Sequence, residues 1–518
     1  MTWFFRFFRR RKLEAQLDSE LRFHIEQQTA NHIAAGMNPA EARRRALAQF
    51  GGLESRKEEA REARGTQFLD ALFQDIRFAL RMLRKSPGFS ITAILTLALG
   101  IGATTAIFSV VNAVLLKSLP YQNPDRLMLV QERIPKLSNA AIAVSAPDIA
   151  VMQRENHVFE SIAAFDTESL NLSGTGEPQR VAAARVSANL FPTLGASALL
   201  GRTFSRDEDP PGHFVTVLSY SLWQGHFGGN PAVLGKTIAL DGLPYTIIGV
   251  MPASFEFPPR GMPYRQAASL WVPIGLTHAE LTDLGDNFNW GVIGRLKAGV
   301  ALAQARSDMN VVAANVLKTW FGPKGPSLDL ALEAPVTPLQ QVVISNVRPL
   351  LYLLLGAVGF LLLIACANVA NLLLSRAAGR QKEITVRAAL GAGRRRIAYQ
   401  LLTESVILAL FGGGFGLLIA FAGTRALAAG APDNIPQVQG IAVDATVLLF
   451  AILVSVLTGI LFGLAPALAA ARVDLNDALK ESGRSAGSSR RVLFARNAFV
   501  VAQVSIAFLL IIGGGLLL

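Results

Sequence analysis

Residues 379–396 read GRQKEITVRAALGAGRRR, and Arg380, Glu383 and Arg387 share one face when the stretch is wound as a helix. The chemistry such a face offers is ion pairing. Glu383 can pair with Arg387 four residues on and with Arg380 three residues back, at about 0.2–0.5 kcal/mol per pair. Gly391-Ala392-Gly393 then ends the helix, and Arg394–Arg396 follow. Bond-making chemistry finds no comparable grouping. LGIGATT (Leu99–Thr105) has glycines but no phosphate-loop lysine, and it lies in an apolar run, so its glycines serve packing. LSGTG (Leu172–Gly176) sits between strand-like segments and reads as a turn. No G-x-x-x-x-G-K-[ST] occurs, and the six histidines (24, 32, 157, 213, 226, 278) are scattered. The single Cys366 allows no disulfide or Cys-based zinc site within one chain. The expectation is a chain that is not an enzyme by itself and has no catalytic, metal or cofactor-binding residues.

The elements around that basic stretch belong in a membrane. The chain has 518 residues, 51% hydrophobic and 17% charged, against about 25% charged in soluble domains. Crossing a bilayer takes about 20 apolar residues, and spans are expected at 90–116, 349–374, 401–422, 445–468 and 498–518. Glu404 and the glycines Gly412–Gly414 make the third the weakest, and the fifth reaches the last residue without a polar exit. Lys and Arg alternate in density across the spans. Residues 1–89 hold 17 against 11 acids, 117–349 hold 18 against 19, and 375–400 hold seven against Glu383 alone. By the positive-inside rule the N-terminus, 375–400 and 469–497 are cytoplasmic, and 117–348 and 423–444 are outside. The opening MTWFFRFFRRRK lacks the uninterrupted apolar core of a signal peptide. It suits either a membrane surface or a disordered tail.

Between these spans the pattern is mixed. Residues 1–64 read as a cytoplasmic helical module, with one helix ending at Gly36 and another restarting at Asn38-Pro39. Residues 65–89 form an amphipathic elbow, with Leu69, Leu72, Phe73, Ile76, Leu80 and Leu83 on one face, broken from the first span by Pro87. This helix suits the inner leaflet, or packing on the preceding module. Ala98, Gly102 and Ala106 recur every four residues in the first span, as small residues do where membrane helices meet. Asn368 and Asn371 in the second span are placed to hydrogen-bond a neighbouring helix. The outer stretch 117–348 alternates strands and helices. Asp241-Gly242 marks a hairpin, Ser145 and Ser187 stand at helix N-caps, and a helix is expected over Val300–Trp320. The fold class is a polytopic α-helical membrane protein with an extracytoplasmic α+β domain, in two lobes, and a small N-terminal helical module.

The interiors of the spans at 90–116, 349–374 and 445–468 contain no Asp, Glu, Lys, Arg or His, which argues against a proton relay or an ion-coupled carrier. Positive-inside anchoring would account for Arg394–Arg396, but an ordered Arg–Glu–Arg face before a glycine stop suits a short helix docking on a separate ATPase.

RQKEITVRAALGAGRRRIAYQLLTESVILALFGGGFGLLIA resembles the inner loop and third span of MacB-type ABC transporter permeases, the macrolide-exporter and lipoprotein-release superfamily. RMLRKSPGFSITAILTLALGIGATTAIFSVVNAVLLKSLPY resembles the family's approach to its first span. VTVLSYSLWQGHFGGNPAVLGKTIALDGLPYTIIGVMPASFEFP, with LWVPI after it, is similar to the MacB-like periplasmic core. LRFHIEQQTANHIAAGMNPAEARRRALAQFGG resembles the prefix of a duplicated orphan-permease branch, and RNAFVVAQVSIAFLLIIGGGLLL looks like the start of a second four-span repeat, missing here. The resemblance implies an ABC permease subunit of the bacterial inner membrane. Its cytoplasmic ATPase is expected on a separate polypeptide, because residues 12–64 are too short for one. By residue match, Arg380, Glu383, Arg387, Gly391 and Ala392 would form the ATPase-coupling segment, with 375–400 cytoplasmic and 469–497 a cytoplasmic linker. ATP would be bound by the partner. Further expected partners are a second permease half, the lipid bilayer and periplasmic adaptor proteins, with no nucleic acid. The expected function is export or extraction of a drug, peptide or lipid-linked substrate. The alternative is an ABC-like membrane regulator of a periplasmic enzyme such as a cell-wall hydrolase.

Overall fold

The structure is a computed structural model that describes residues 10–50, 67–174, 177–262, 266–284, 287–322, 331–379, 393–430, 443–471 and 488–515. These divide into two compact units. One takes its described residues from 1–96, 366–412 and 455–502, the other from 97–365, 413–454 and 503–518.

The first unit opens with α1 (Arg10–Ala34) and α2 (Pro39–Phe50). Gly36 takes φ +89, where a side chain is strained, and so ends α1. Asn38 Oδ1 then accepts the Ala40 N–H at 3.2 Å and Pro39 fills the first helical position. The elbow is α3 (Gln67–Lys85), and Pro87 begins α4 (Pro87–Val111), since a proline fits the first turn of a helix but not its interior. A π-helical turn, Asn112–Leu116, ends the span.

The outer domain carries β1 (Leu127–Val130), α5 (Ala146–Glu155), β2 (Phe159–Ser173), β3 (Gln179–Val186), α6 (Leu190–Leu194) and β4 (Leu200–Gly201). After these come β5 (Val215–Leu218), α7 (Tyr220–Phe227), β6 (Thr237–Leu240) and β7 (Leu243–Val250). Then follow β8 (Leu270–Pro273), α8 (His278–Thr282), β9 (Gly291–Leu296), α9 (Leu302–Phe321), β10 (Val336–Pro338) and α10 (Leu339–Ile344). Among the described residues the strands form one sheet of ten in the order β10-β1-β9-β2-β3-β8-β5-β7-β4, with β6 pairing β2 and β7. The expected two lobes therefore share a sheet. The fifteen-residue β2 joins them, pairing β9 along its first half and β3 along its second. α5 and α9 cover one apolar cluster around Met152, Trp290 and Met309. α7 covers another around Leu172, Trp223 and Ile247. A third, around Phe165, Phe191, Phe257 and Trp271, fills the middle.

Asp241 (φ 48) and Gly242 (φ 82) make the left-handed turn of the β6–β7 hairpin. Ser187 departs from expectation. The N-cap of α6 is Asn189, and the Ser187 hydroxyl instead accepts the Ala164 N–H at 2.9 Å and donates to Asn189 Oδ1 at 2.7 Å. At α5, Ser145 does hold the N-cap position, but its hydroxyl donates to Asp148 and caps no backbone N–H.

The remaining helices are α11 (Arg348–Gly379), α12 (Arg394–Gly430), α13 (Ala445–Ala471) and α14 (Ser488–Gly515). Among the described residues, four helical stretches are long and apolar enough to cross a membrane: Pro87–Leu116, Arg348–Arg376, Arg395–Ala426 and Ala445–Leu464. α12 begins seven residues before the expected 401 and runs unbroken through Gly412–Gly414: Arg394–Arg396 carry no helix breaker, and Gly412 and Gly413 are buried. For the fifth expected span, 498–518, the described apolar stretch is Val500–Gly515, shorter than the other four.

Candidate functional site

The small residues of α4 meet helix backbone. Ala98, Gly102 and Ala106 are all buried. A methyl group on Gly102 would come 2.9 Å from the Gly416 carbonyl oxygen and 3.1 Å from Ile419 Cβ of α12. One on Gly416 would come 3.1 Å from the Ala98 carbonyl oxygen, and one on Gly423 3.9 Å from Ala106 Cβ. Toward α11, a methyl on Gly100 would meet Ala365 Cβ at 3.1 Å. The Thr104 hydroxyl donates within α4 to the Gly100 carbonyl at 2.9 Å and reaches the Val358 carbonyl of α11 at 3.3 Å. Lipid gives no hydrophobic drive for apolar helices to associate, so this close approach supplies the dispersion contact that holds them. In the other unit α12 and α13 do the same, with Gly459 against Val406 and Gly463 against Ser405. Asn368 is exposed on α11, and the buried Oδ1 of Asn371 meets no donor among the described residues.

The outer end of α4 is a polar node. Asn112 Nδ2, in the π turn, donates to Asp444 Oδ2 at 3.0 Å, and Lys117 Nζ lies 3.1 Å from the same oxygen. Asp444 Oδ1 accepts the Val447 N–H at 3.1 Å, capping α13. The Val447 N–H foremost, with Lys117 and Asn112 behind it, holds the Asp444 carboxyl below the usual carboxylate range despite some burial. The Lys117 carbonyl accepts Gln340 Nε2 of α10 at 3.1 Å, so the chain's way into the outer domain is pinned to its way out.

Beyond Lys117 the chain is braced to the sheet. Arg295 of β9, 6% exposed, donates to the Gln122 carbonyl at 2.6 Å and the Thr193 carbonyl at 2.7 Å. Burial lowers its affinity for the proton, but a guanidinium stays charged and needs these carbonyls. Tyr121 OH donates to the Glu256 carbonyl at 2.5 Å and the Gln122 N–H to the Leu194 carbonyl at 3.1 Å.

At the inner end, Arg380, Glu383, Arg387, Gly391 and Ala392 lie outside the described residues. Their flanks are described. Arg376, late in α11, donates to Ser86 Oγ at 3.0 Å and the Met82 carbonyl at 3.3 Å, its guanidinium 4.6 Å from the Phe89 ring centroid. Arg396, in the first turn of α12, donates through Nη1 to Asp75 Oδ2 of α3. Nothing local in the sequence marks the pairings of Asp75 with Arg396, of Asp444 with Asn112 and Lys117, or of Arg295 with the Gln122 and Thr193 carbonyls, because the partners are a hundred or more residues apart. The signal present in sequence was Asp75, with Asp70 one of two acids inside an otherwise basic and apolar elbow.

Two family models match: the MacB-like periplasmic core domain over residues 90–312 and the FtsX-like permease C-terminal domain over residues 355–475. The macrolide export ATP-binding/permease protein MacB of Hahella chejuensis is 26% identical over 392 residues, 75% of this chain and 56% of that protein. The probable syringafactin export ATP-binding/permease protein SyfD of Pseudomonas syringae pv. syringae is 27% identical over 240 residues, 46% of this chain and 34% of that protein. The chain thus spans about half the length, or less, of the curated relatives it matches. The solved periplasmic region of MacB from Actinobacillus actinomycetemcomitans aligns with 43% of this chain and 92% of that one, at 15% identity and a TM-score of 0.31. With an α+β domain in the first matched segment and membrane-length helices in both, this is a membrane protein with an extracytoplasmic domain, and it belongs to the MacB-like ABC-type permeases.

Proposed function

We propose that the chain is a membrane subunit through which a separate cytoplasmic ATPase moves the extracytoplasmic domain, and that the movement serves export. The observation that carries this reading is the brace at the base of that domain. Arg295, Tyr121 and Gln122 fix the exit of α4 to the sheet, which suits a lever and serves no purpose in a pore. Close helix packing and the lack of ionisable side chains within α4 and the Ala445–Leu464 stretch of α13 support it, since work that does not come from an ion gradient must arrive from outside the membrane. ATP is bound by the partner, and Arg380, Glu383, Arg387, Gly391 and Ala392 engage it. The chain sits in the bacterial inner membrane with its N-terminus in the cytoplasm, beside a second permease half and with periplasmic adaptors at the outer domain. Relatives named for macrolide and syringafactin export make a drug, peptide or lipid-linked cargo the reading to test.

Purification of the full-length protein with its native neighbours tests this. A stoichiometric ATPase whose turnover falls with Glu383→Lys is the expected result. A bound cell-wall hydrolase with no ATPase would replace the transporter by a membrane regulator. In a Cys366→Ala background, Tyr220→Cys should react with a membrane-impermeant maleimide from outside the cell membrane, and Arg395→Cys should not. The reverse pattern overturns the orientation.

A further inference from the structure

We propose that the elbow helix α3 is a strap across the inner loop, holding the two flanks of segment 380–392 at a set separation through Asp75–Arg396 on one side and Ser86–Arg376 on the other. Its role in coupling rests on the function proposed above.

Among the described residues of α3, the most buried are not the large apolar ones. Asp75 and Ala79 are buried and Met82 half-buried, whereas Phe73 is 51% and Leu80 38% exposed. Leu72, Ile76 and Leu83 are half-buried, and the residues turned furthest inward are an acid and a methyl group. An arrangement built only to rest on a leaflet has no use for a buried carboxylate. Asp75 is 5% exposed, and the charge that answers it is the guanidinium of Arg396. A carboxylate removed from water is tolerated where a cation is held against it, and removing one member leaves the other uncompensated. The tie therefore has a definite geometry.

The second tie is independent of the first. Arg376 donates to Ser86 Oγ and the Met82 carbonyl and lies over the Phe89 ring, combining hydrogen bonds with a cation–π contact. Ser86 and Phe89 stand at the junction from α3 to α4, fixed in turn by Ser90 Oγ, which donates to the Leu83 carbonyl at 2.9 Å and the Ser86 carbonyl at 3.0 Å. Basic residues at an inner membrane face ordinarily extend to lipid headgroups. These two are committed to protein acceptors instead. They stand four residues before Arg380 and four after Ala392, so they bracket the coupling segment. One rigid helix touching both flanks restrains how far they can separate. Asp75 and Ser86 are positioning residues in this scheme, acting on the segment through the two arginines.

The test uses the full-length protein in lipid nanodiscs, in a Cys366→Ala background, with nitroxide labels on Ala378→Cys and Arg395→Cys. The expected result is a narrow label-to-label distance distribution that broadens with Asp75→Asn and with Asp75→Arg. It narrows again in the charge swap Asp75→Arg/Arg396→Asp. Gel filtration identifies the folded fraction, and the near-isosteric Asp75→Asn covers the case in which Asp75→Arg fails to fold. A distribution indifferent to both substitutions, or a swap as broad as the single variant, overturns the strap. In a second arm, stimulation of the co-purified ATPase should be lost in Asp75→Arg and regained in the swap. Stimulation unchanged in Asp75→Arg overturns the role in coupling. Absence of any ATPase sinks the coupling reading, and the distance arm still decides whether α3 holds the flanks.

Discussion

Glu132 is fully buried in the outer domain, just past β1, and neither of its oxygens meets a hydrogen-bond donor among the described residues. Only the protonated acid, donating to Asp148, satisfies the pair. Burial first, and the neighbouring Asp148 second, push its carboxyl up to about 9. The folded value lies above the unfolded one, about 4.3. Between the two, the folded state holds a proton the unfolded state lacks, so this group's contribution is intact below about 4 and is lost as pH rises toward about 9. Asp148 is raised as well, chiefly by burial, with the Ser145 hydroxyl and Trp320 N–H opposing it. Glu132→Gln keeps a donor and removes the titration. We expect its melting temperature, followed by tryptophan fluorescence of the full-length protein, to match the wild type near pH 4 and exceed it by pH 8. Parallel profiles would refute this. Gly102 is a second residue-scale test. Gly102→Ala puts a methyl group 2.9 Å from a backbone oxygen, overpacking that costs about 1–3 kcal/mol. Gly356→Ala on α11 meets nothing within 4 Å and should be near neutral. Unfolding in mixed micelles separates the two, and equal effects would remove the seam from the account.

Helices and strands whose ends are set by backbone chemistry were readable in the sequence. Gly36, Asn38-Pro39 and Asp241-Gly242 each impose a local conformation that no distant contact overrides. Features set by distant contacts were not. The Gly412–Gly414 run signals weakness only for a helix in water, and Gly416 beside it is where Gly102 lands. Ser187 carries an N-cap signature, but the Ala164 N–H of the neighbouring strand claims its hydroxyl. The π turn at Asn112–Leu116 has no sequence mark, and it is the element that turns Asn112 toward Asp444. Such turns concentrate at functional places. Asp444 titrates below its unfolded value, about 3.9, so its stabilisation is present above that pH and lost as pH falls through the folded value. Asp444→Asn should therefore melt below the wild type at pH 7, with the gap closing below about pH 4. A gap independent of pH would mean that the cap on α13 matters and the Lys117 pair does not.

At the scale of the molecule, hydropathy and charge alternation indicated both a membrane protein and an outer domain, because apolar runs near 20 residues have few other uses. They did not reveal that one ten-stranded sheet spans both expected lobes, which depends on the length of β2. Nor did they link α3 to the start of α12, a pairing 321 residues apart in the chain. The account makes this polypeptide a transmitter: small-residue seams hold the helices, braces at Arg295 and Asp444 deliver motion outward, and the energy comes from another protein. The most direct measurement is ATP turnover by the full-length protein in nanodiscs, alone and then with the ATPase that co-purifies with it. The account predicts none above background alone, and turnover on addition of the ATPase that the permease stimulates and Glu383→Lys abolishes. Sustained hydrolysis by the polypeptide alone, or an ATPase indifferent to its presence, would contradict it.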